Sequence, residues 1–304
     1  MTSNLKIGVV LVTFNRLSKL KKALQSYDNQ DVSPSYVIVV DNASTDGTDS
    51  FLIEWKSSAQ KYEKIVIKLE HNIGGSGGFY EGLRIALEKN ADWIWVADDD
   101  AYPEKNCFNI ALSYISSNQS SNISAVCGAV INNGKYCLNH RRRTYTKCFL
   151  YYSEPVPEKE YNSHFLINTY SFVGSILNKE KMSIAGLPKK DYFIWCDDSE
   201  HGLRMSKIGN IICLPEMTII HDEDVNNKII SWKLYYGIRN QLDLIRSNFT
   251  KFVFWIMWIK FFLYALFFFF ENKEKGLLYM TALKDVATNK FGLHSKYRPG
   301  WKIN

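Results

Sequence analysis

Four short apolar runs rich in β-branched residues mark the first part of the chain: Ile7–Thr13 (IGVVLVT), Tyr36–Asp41 (YVIVVD), residues 65–69 and residues 93–97 (WIWVA). Runs this short and this uniformly apolar fit strands buried on both faces, as in a parallel sheet covered by helices. The segments between them have helical period. Leu17, Leu20, Ala23, Leu24 and Tyr27 fall on one helical face. Residues 42–48 form a turn in which Thr45 is placed to cap a helix running to about Lys56. The glycine-rich stretch 74–78 opens a helix running to about Lys89. Strand and helix alternating at this spacing means βαβ units and a doubly wound α/β sheet. Such sheets bind ligands at the carboxyl ends of their strands. Thr13, Asp41, Asn72 and Asp98 all fall at or just after such ends.

The middle of the chain is less regular. Strand-like runs occupy residues 125–131 and 170–177, with a polar loop around 140–143 between them. A helix-like stretch, 198–207, precedes a strand over 211–214 and a shorter one ending at His221. Further on, residues 252–270 are almost wholly apolar, with one charge, Lys260, near the middle. A spanning helix needs about 20 apolar residues and loses roughly 2.5–3.5 kcal/mol to a central lysine. The reading favoured is a helix lying in a membrane interface, or packed against a second basic amphipathic helix around 276–290. A buried core helix or a homo-oligomer interface is the alternative.

Charge separates the same two regions. Residues 226–304 hold 13 Lys/Arg against four Asp/Glu, whereas residues 1–225 hold 24 against 27. A basic nucleic-acid-binding core is thereby disfavoured, and no nucleic-acid partner is expected. The C-terminal quarter suits an anionic lipid surface. Residues 1–6 lead straight into the first strand without the apolar core of a signal peptide. Cys107, Cys127, Cys137, Cys148, Cys196 and Cys213 form no Cys-x-x-Cys pair and no zinc spacing with histidine. The expectation is a cytoplasmic protein, peripheral on the inner face of the membrane, with its cysteines as small core residues.

Asp98, Asp99 and Asp100 follow an apolar strand. Three adjacent carboxylates repel one another unless a cation joins them, so Mg²⁺ or Mn²⁺ bridging to phosphate oxygens is expected here; a solvated acidic turn before Pro103 is the alternative. A second acidic cluster, Asp197-Asp198 with Glu200, follows Phe193, Ile194 and Trp195. One of its carboxylates can serve as general base for an acceptor hydroxyl, or the pair can cap the next helix. His221, at a strand end, is either a third metal ligand or structural. The glycines of 74–78 are no P-loop, because no Gly-Lys-Ser/Thr follows, but they let backbone approach a ligand at a helix start. Arg141, Arg142 and Arg143 offer a site for an acceptor pyrophosphate, or form a solvated loop.

Taken in order, Val12-Thr-Phe-Asn-Arg16, Asp41-Asn-Ala-Ser-Thr-Asp-Gly47, Asn72-Ile-Gly-Gly-Ser-Gly-Gly-Phe79 and Trp95-Val-Ala-Asp-Asp-Asp100 resemble the nucleotide-binding half of family-two inverting glycosyltransferases of the GT-A fold. Phe172-Val-Gly-Ser, Phe193-Ile-Trp-Cys-Asp-Asp-Ser-Glu200, His221 and Trp232-Lys-Leu-Tyr-Tyr-Gly-Ile-Arg-Asn240 extend the likeness, in the manner of the galactofuranosyltransferase and rhamnosyltransferase branch. The resemblance implies a GT-A, Rossmann-like doubly wound mixed sheet over residues 1–225, with a nucleotide-sugar half (1–103) and an acceptor half (104–225). Residues 226–304 would be a helical, membrane-associating region. It also implies roles. Thr13 and Arg16 would meet the nucleotide and diphosphate, and Asp41, Asn42 and Asn72 the uracil and ribose, with Gly75 giving backbone access. Asp98 and Asp100 would hold the metal together with His221, and Asp99 would face the donor. Asp198 would be the general base, and Trp195, Asp197 and Glu200 would contact sugar or acceptor. The partners implied are a UDP-sugar, most of all UDP-galactofuranose, and a lipid-linked glycan acceptor; dTDP-rhamnose is the rival donor. A glycan-binding scaffold without activity would lack the paired aspartates that this chain retains.

Overall fold

The computed structural model describes residues 5–59, 61–223 and 232–303. The expected alternation opens the chain: β1 (Ile7–Thr13), α1 (Leu17–Asp28), β2 (Tyr36–Asp41), α2 (Thr48–Ser57), β3 (Glu63–Lys68), α3 (Gly74–Glu88) and β4 (Trp93–Asp98). The four strands are parallel in the order β4-β1-β2-β3, with Val12 opposite Asp98 and Thr13 opposite Asp41. Every residue of β1 and β2 is buried. Edge strand β3 is less covered and carries Glu63, Lys64 and Lys68, charges that discourage pairing with another chain.

The second half supplies β5 (Ala101–Pro103), α4 (Cys107–Ser117), β6 (Ile123–Asn132), β7 (Lys135–Tyr136), β8 (Arg141–Lys147), β9 (Leu150–Pro155), β10 (Phe165–Ile167), β11 (Thr169–Tyr170), β12 (Ser175–Asn178), α5 (Lys179–Ala185), α6 (Asp197–Ser206) and β13 (Asn210–His221). Strand β12 runs antiparallel between β4 and β6, and β13 pairs parallel with β6. The result is the expected mixed sheet, in the order β10-β13-β6-β12-β4-β1-β2-β3. Strands β11, β8 and β9 form a separate antiparallel sheet. Side chains alternate across the large sheet: Val9 and Leu11 join one apolar cluster with Trp95 and Phe108, and Val10 and Val12 join another with Phe79 and Ile94.

Three helices follow: α7 (Lys233–Asn248), α8 (Lys251–Glu271) and α9 (Lys273–Ala287). Thr250 and Asn272 accept from the first-turn amides of α8 and α9, the usual work of an N-cap. A third apolar cluster joins these helices to Phe193 and Leu203. Helix α8 has a mean hydropathy of 2.1, and only 22% of its most apolar window is buried. Length and composition alone would let it cross a membrane.

Several local expectations need correction. Helix α2 starts at Thr48, after Gly47 at φ +90°. Asp46 serves the Thr48 amide, while the Thr45 amide donates to Asn15 Oδ1 at 2.7 Å and its hydroxyl to the same oxygen at 3.4 Å. The run 170–177 is two strands, β11 and β12, broken by Gly174 at φ +67°, where a Cβ would strike Ile219 at 2.4 Å. The two strands expected before His221 are one, β13, whose register with β6 shifts between Leu214 and Thr218. Pro215, which cannot donate to a ladder, sits in that irregularity. Of the cysteines, Cys107, Cys127 and Cys213 are core residues, Cys137 and Cys196 are half-buried, and Cys148 is exposed. The expected boundary between residues 225 and 226 lies outside the described residues.

Candidate active site

The carboxyl ends of β1 and β4, the start of α3, the loop before β12 and the start of α6 surround one cleft of ≈ 460 Å³. On its β4 side, the three aspartates have different surroundings. Thr13 Oγ1 donates to Asp99 Oδ2 at 2.7 Å, and Arg16 donates to Asp99 Oδ1 at 3.2 Å and to Asp100 Oδ2 at 2.7 Å. His221, delivered by the pairing of β13 with β5, places Nε2 3.3 Å from Asp100 Oδ1. Burial would raise Asp100, but the His221 hydrogen bond and the charges of Arg16, His221 and Lys19 outweigh it and hold Asp100 below the usual carboxylate range. Asp99 is pushed up to about 6, because burial outweighs Arg16 and Thr13. Asp98 is raised well above its ordinary value by burial and by the charges of Asp100 and Asp99. Among the described residues no hydroxyl or cation bonds the Asp98 side chain.

This trio is short of positive charge. Arg16, about half exposed, bonds two of the carboxylates, and Lys19 stands 3.9 Å from Asp100, so two cations face three carboxylates. Among the described residues no three His, Cys, Asp or Glu side chains already stand as a ligand set. Asp100 and His221 nevertheless have the separation of neighbouring ligands on one divalent cation, about 3 Å for bonds near 2.1 Å. His221 Nδ1 is buried without a hydrogen-bond partner. The donor set and its charge deficit therefore fit a hard divalent cation in the cleft, once Arg16 turns toward another anion.

Across the cleft, Asp197 and Asp198 open α6. Burial and the neighbouring Asp198 charge push Asp197 up to about 7. Burial also raises Asp198, against hydrogen bonds from Ser199 N at 2.5 Å and Ser199 Oγ at 3.1 Å to its Oδ1. The preceding loop is strained: Phe193, Trp195 and Cys196 have φ of +68°, +66° and +69°, values that non-glycine residues keep only when their surroundings impose them. Two elements impose them here. Asn240 Nδ2 of α7, fully buried, lies 3.0, 2.9 and 2.9 Å from the carbonyls of Tyr192, Ile194 and Trp195. On the other side, Ser76 N of α3 donates to the Phe193 carbonyl at 3.2 Å. Gly74, at φ +80°, admits that carbonyl, since a Cβ there would lie 2.0 Å from it. The glycine-rich turn thus lets the two acidic clusters face one another.

Most of the expected site residues line this cleft: Thr13, Arg16, Asn42, Asn72, Gly75, Asp98, Asp99, Asp100, Trp195, Asp197, Asp198 and His221. Asn42 also acts as a buckle, donating to Gly74 O and accepting from Ile73 N, both at 2.9 Å. Asp41 does not line the cleft. It is buried beneath it, with Oδ1 accepting from Ser44 N and Oδ2 unpartnered. Glu200 is a correction: one turn along α6 it is buried against Arg204, at 2.9–3.1 Å, and near Asn248, away from the cleft. The arginine run lines no part of this cleft. Arg141 is fully buried and bonds backbone carbonyls, Arg142 bonds Ser153 and Asn139, and Arg143 pairs with Glu160.

Gly74, Ser76 and Asn240 fall inside motifs the sequence displays, but their part in holding the acidic loop is not legible there, and His140 carries no expected role. His140 stands edge-to-face with His221, 5.1 Å between centroids, and shares a 2.7 Å hydrogen bond with Ser171. Burial, then Arg141, depress it to about 3, so it stays neutral. No local pattern marks these roles, because each is exercised on a segment distant in sequence.

Known proteins resemble this chain in sequence and in fold. The family model described as Glycosyl transferase family 2 matches residues 8–178. Galactofuranosyltransferase GlfT1 of Mycolicibacterium smegmatis is 35% identical over 103 residues, 34% of this chain and 32% of that protein, so the match spans about a third of the relative. The dTDP-rhamnosyl transferase RfbF of Shigella flexneri is 26% identical over 260 residues, 81% of each chain. Among solved structures, GalNAc-T7 with UDP, GalNAc and Mn²⁺ superposes with a TM-score of 0.62 at 15% identity, covering 86% of this chain and 50% of that one. S. aureus TarS 1–349 in complex with UDP-GlcNAc gives 0.59 at 17%, covering 93% and 80%. At such identities these two likenesses speak for the fold.

Proposed function

The chain belongs to glycosyl transferase family 2, and on that footing we propose that it transfers a sugar, galactofuranose from UDP-galactofuranose, with inversion onto a hydroxyl of a lipid-linked cell-surface glycan. The observation that carries this reading is the facing pair of acidic clusters, Asp98–Asp100 on β4 and Asp197-Asp198 on α6, across one cleft. Their separation of roles follows from chemistry. The β4 cluster lies beside Arg16 and His221, where a diphosphate and its cation would be held, and the α6 cluster is poised for proton transfer. Asp198 accepts the proton of the attacking hydroxyl, and Ser199 orients its carboxylate. Thr13 and Arg16 hold Asp99 and meet the donor phosphates, and Asn42 and Asn72 on the cleft wall receive the nucleoside, with Asp41 buried beneath them. Asp98, Asp100 and His221 would hold Mn²⁺ or Mg²⁺. Such a cation neutralises charge on a departing diphosphate. We place the enzyme in the cytoplasm at the inner membrane face, an assignment supported by the apolar, poorly covered α8 and the basic C-terminal quarter.

Transfer from dTDP-rhamnose is a second reading, favoured by the length of the RfbF alignment over that of GlfT1. A thermal-shift panel of UDP- and dTDP-sugars with Mn²⁺ separates the two, since a ligand of the native state raises stability by RT ln(1 + [L]/Kd). A shift with UDP-galactofuranose above that with dTDP-rhamnose supports the first reading. The reverse order replaces the donor, and no shift with any nucleotide sugar removes both.

A further inference from the structure

A second cavity, of ≈ 580 Å³, lies behind the acidic loop, walled by β9, the start of α6 and helices α7, α8 and α9. It shares that loop with the cleft. Trp195, Asp197 and Asp198 line the cleft, whereas Cys196 and Ser199 line the second cavity. Gly237 of α7 lies against the indole of Trp195, so close that a Cβ there would touch it at 3.2 Å. A side chain's thickness therefore separates the space behind the loop from the carboxylates in front.

The charges on this cavity are unbalanced. Arg142 donates to neutral groups, Ser153 and Asn139. Lys260, exposed on α8, has no carboxylate partner among the described residues and lies 5.8 Å from the ring of Tyr264. Glu154 is the carboxylate on the wall, and it accepts from Tyr145 at 2.8 Å. Tyrosines 151, 152, 264 and 279 supply flat apolar walls with hydroxyl edges, the surfaces on which sugar rings and hydrocarbon pack. Outside, α8 presents Trp255, Ile259, Leu263 and Phe267 to solvent. The tip of the β8–β9 hairpin extends this apolar face, with the ring of Phe149 4.9 Å from that of Phe252.

We propose that this cavity binds the acceptor as an anionic amphiphile, a saccharide joined through a phosphate ester to an apolar chain. The phosphate lies between Arg142 and Lys260, the chain leaves along the exposed side of α8, and the saccharide reaches past Trp195 to the carboxylates of α6. That the occupant is an acceptor rests on the transferase reading; that the cavity takes an anionic amphiphile does not.

The test uses the full chain and farnesyl phosphate, kept below its micelle concentration, titrated by calorimetry beside farnesol, inorganic phosphate and UDP. The expected result is saturable farnesyl phosphate binding, at least tenfold tighter than farnesol or inorganic phosphate. Lys260→Gln and Arg142→Gln each weaken it by about fivefold, and Glu154→Gln tightens it by a similar factor, the scale of one partly solvated charge. UDP affinity stays unchanged in all three variants. Farnesyl phosphate affinity indifferent to both Lys260→Gln and Glu154→Gln overturns the site, and equal affinity for inorganic phosphate overturns the lipid carrier. Should the parent bind farnesyl phosphate with this charge dependence but fail to bind UDP, the donor assignment falls and the amphiphile site stands.

Discussion

Replacing Arg141 by methionine should destabilise the protein by about 3–4 kcal/mol, a large share of the ~5–15 kcal/mol that holds a typical domain together. Its guanidinium donates to Gly128 O at 2.8 Å, His140 O at 3.0 Å, Val173 O at 2.7 Å and Gly174 O at 3.2 Å, and approaches Ser171 Oγ at 3.4 Å. Gly174 O keeps a second donor, Gly128 N at 3.3 Å, so the strongest losses fall on Val173 O and Gly128 O. Each buried carbonyl left without its partner costs roughly 1–3 kcal/mol. Against this, methionine relieves the cost of keeping a cation away from water, which limits the net loss. Lysine keeps the charge but cannot span the planar fork, so Arg141→Lys should lose about 1–2 kcal/mol. Because Val173 and the adjoining Phe172 line the cleft, the Met variant should also show a smaller UDP-induced thermal shift. Urea denaturation, read from the midpoint at unchanged slope, measures the stability terms. A loss under about 1 kcal/mol for methionine, or a lysine variant as stable as the parent, would refute the view that this side chain fastens the cleft wall.

Three further outcomes follow from the same geometry. Asn240→Asp replaces the donors that hold Tyr192, Ile194 and Trp195 with an acceptor; turnover should fall about 100-fold or more with UDP affinity nearly unchanged, whereas an equal loss in both would mean a merely structural role. His201, buried between Tyr170 and Gly186, is depressed to about 3, by burial first and then by Arg204. The unfolded chain binds its proton below about pH 6.5 and the folded chain does not, so this stability is full above 6.5 and is lost at roughly 1.4 kcal/mol per unit as pH falls toward 3; denaturation midpoints at pH 7.5 and 5.0 should differ less in His201→Gln than in the parent, and an identical pH dependence excludes the account. Asp198→Asn should abolish transfer at intact stability, whereas Glu200→Gln should lower stability, through Arg204, and spare the rate; activity assays paired with melting curves check both, and full activity in Asp198→Asn removes the assigned base.

The sequence by itself determined the nucleotide-binding half. Strands β1, β2 and β4 are continuous and almost wholly buried, and the helices between the strands are amphipathic, so period and composition carry the information. The ends of those strands were legible for the same reason: Thr13 and Asp98 sit where local pattern stops. Tertiary structure alone decided what the second half does with its polar residues. Arg141 looked like a surface cation and is a buried fork, because the carbonyls it bonds come from β6 and the loop before β12. Glu200 looked like a third carboxylate of the acidic cluster, but the helical turn carries it under the cleft to Arg204. The strained loop at 193–196 has no sequence signature, since its conformation is imposed by Asn240, more than 40 residues later, and by the amide of Ser76, more than 110 residues earlier. A pattern reports what a residue prefers; which buried carbonyl, carboxylate or cation it meets is set by chain closure over long separations.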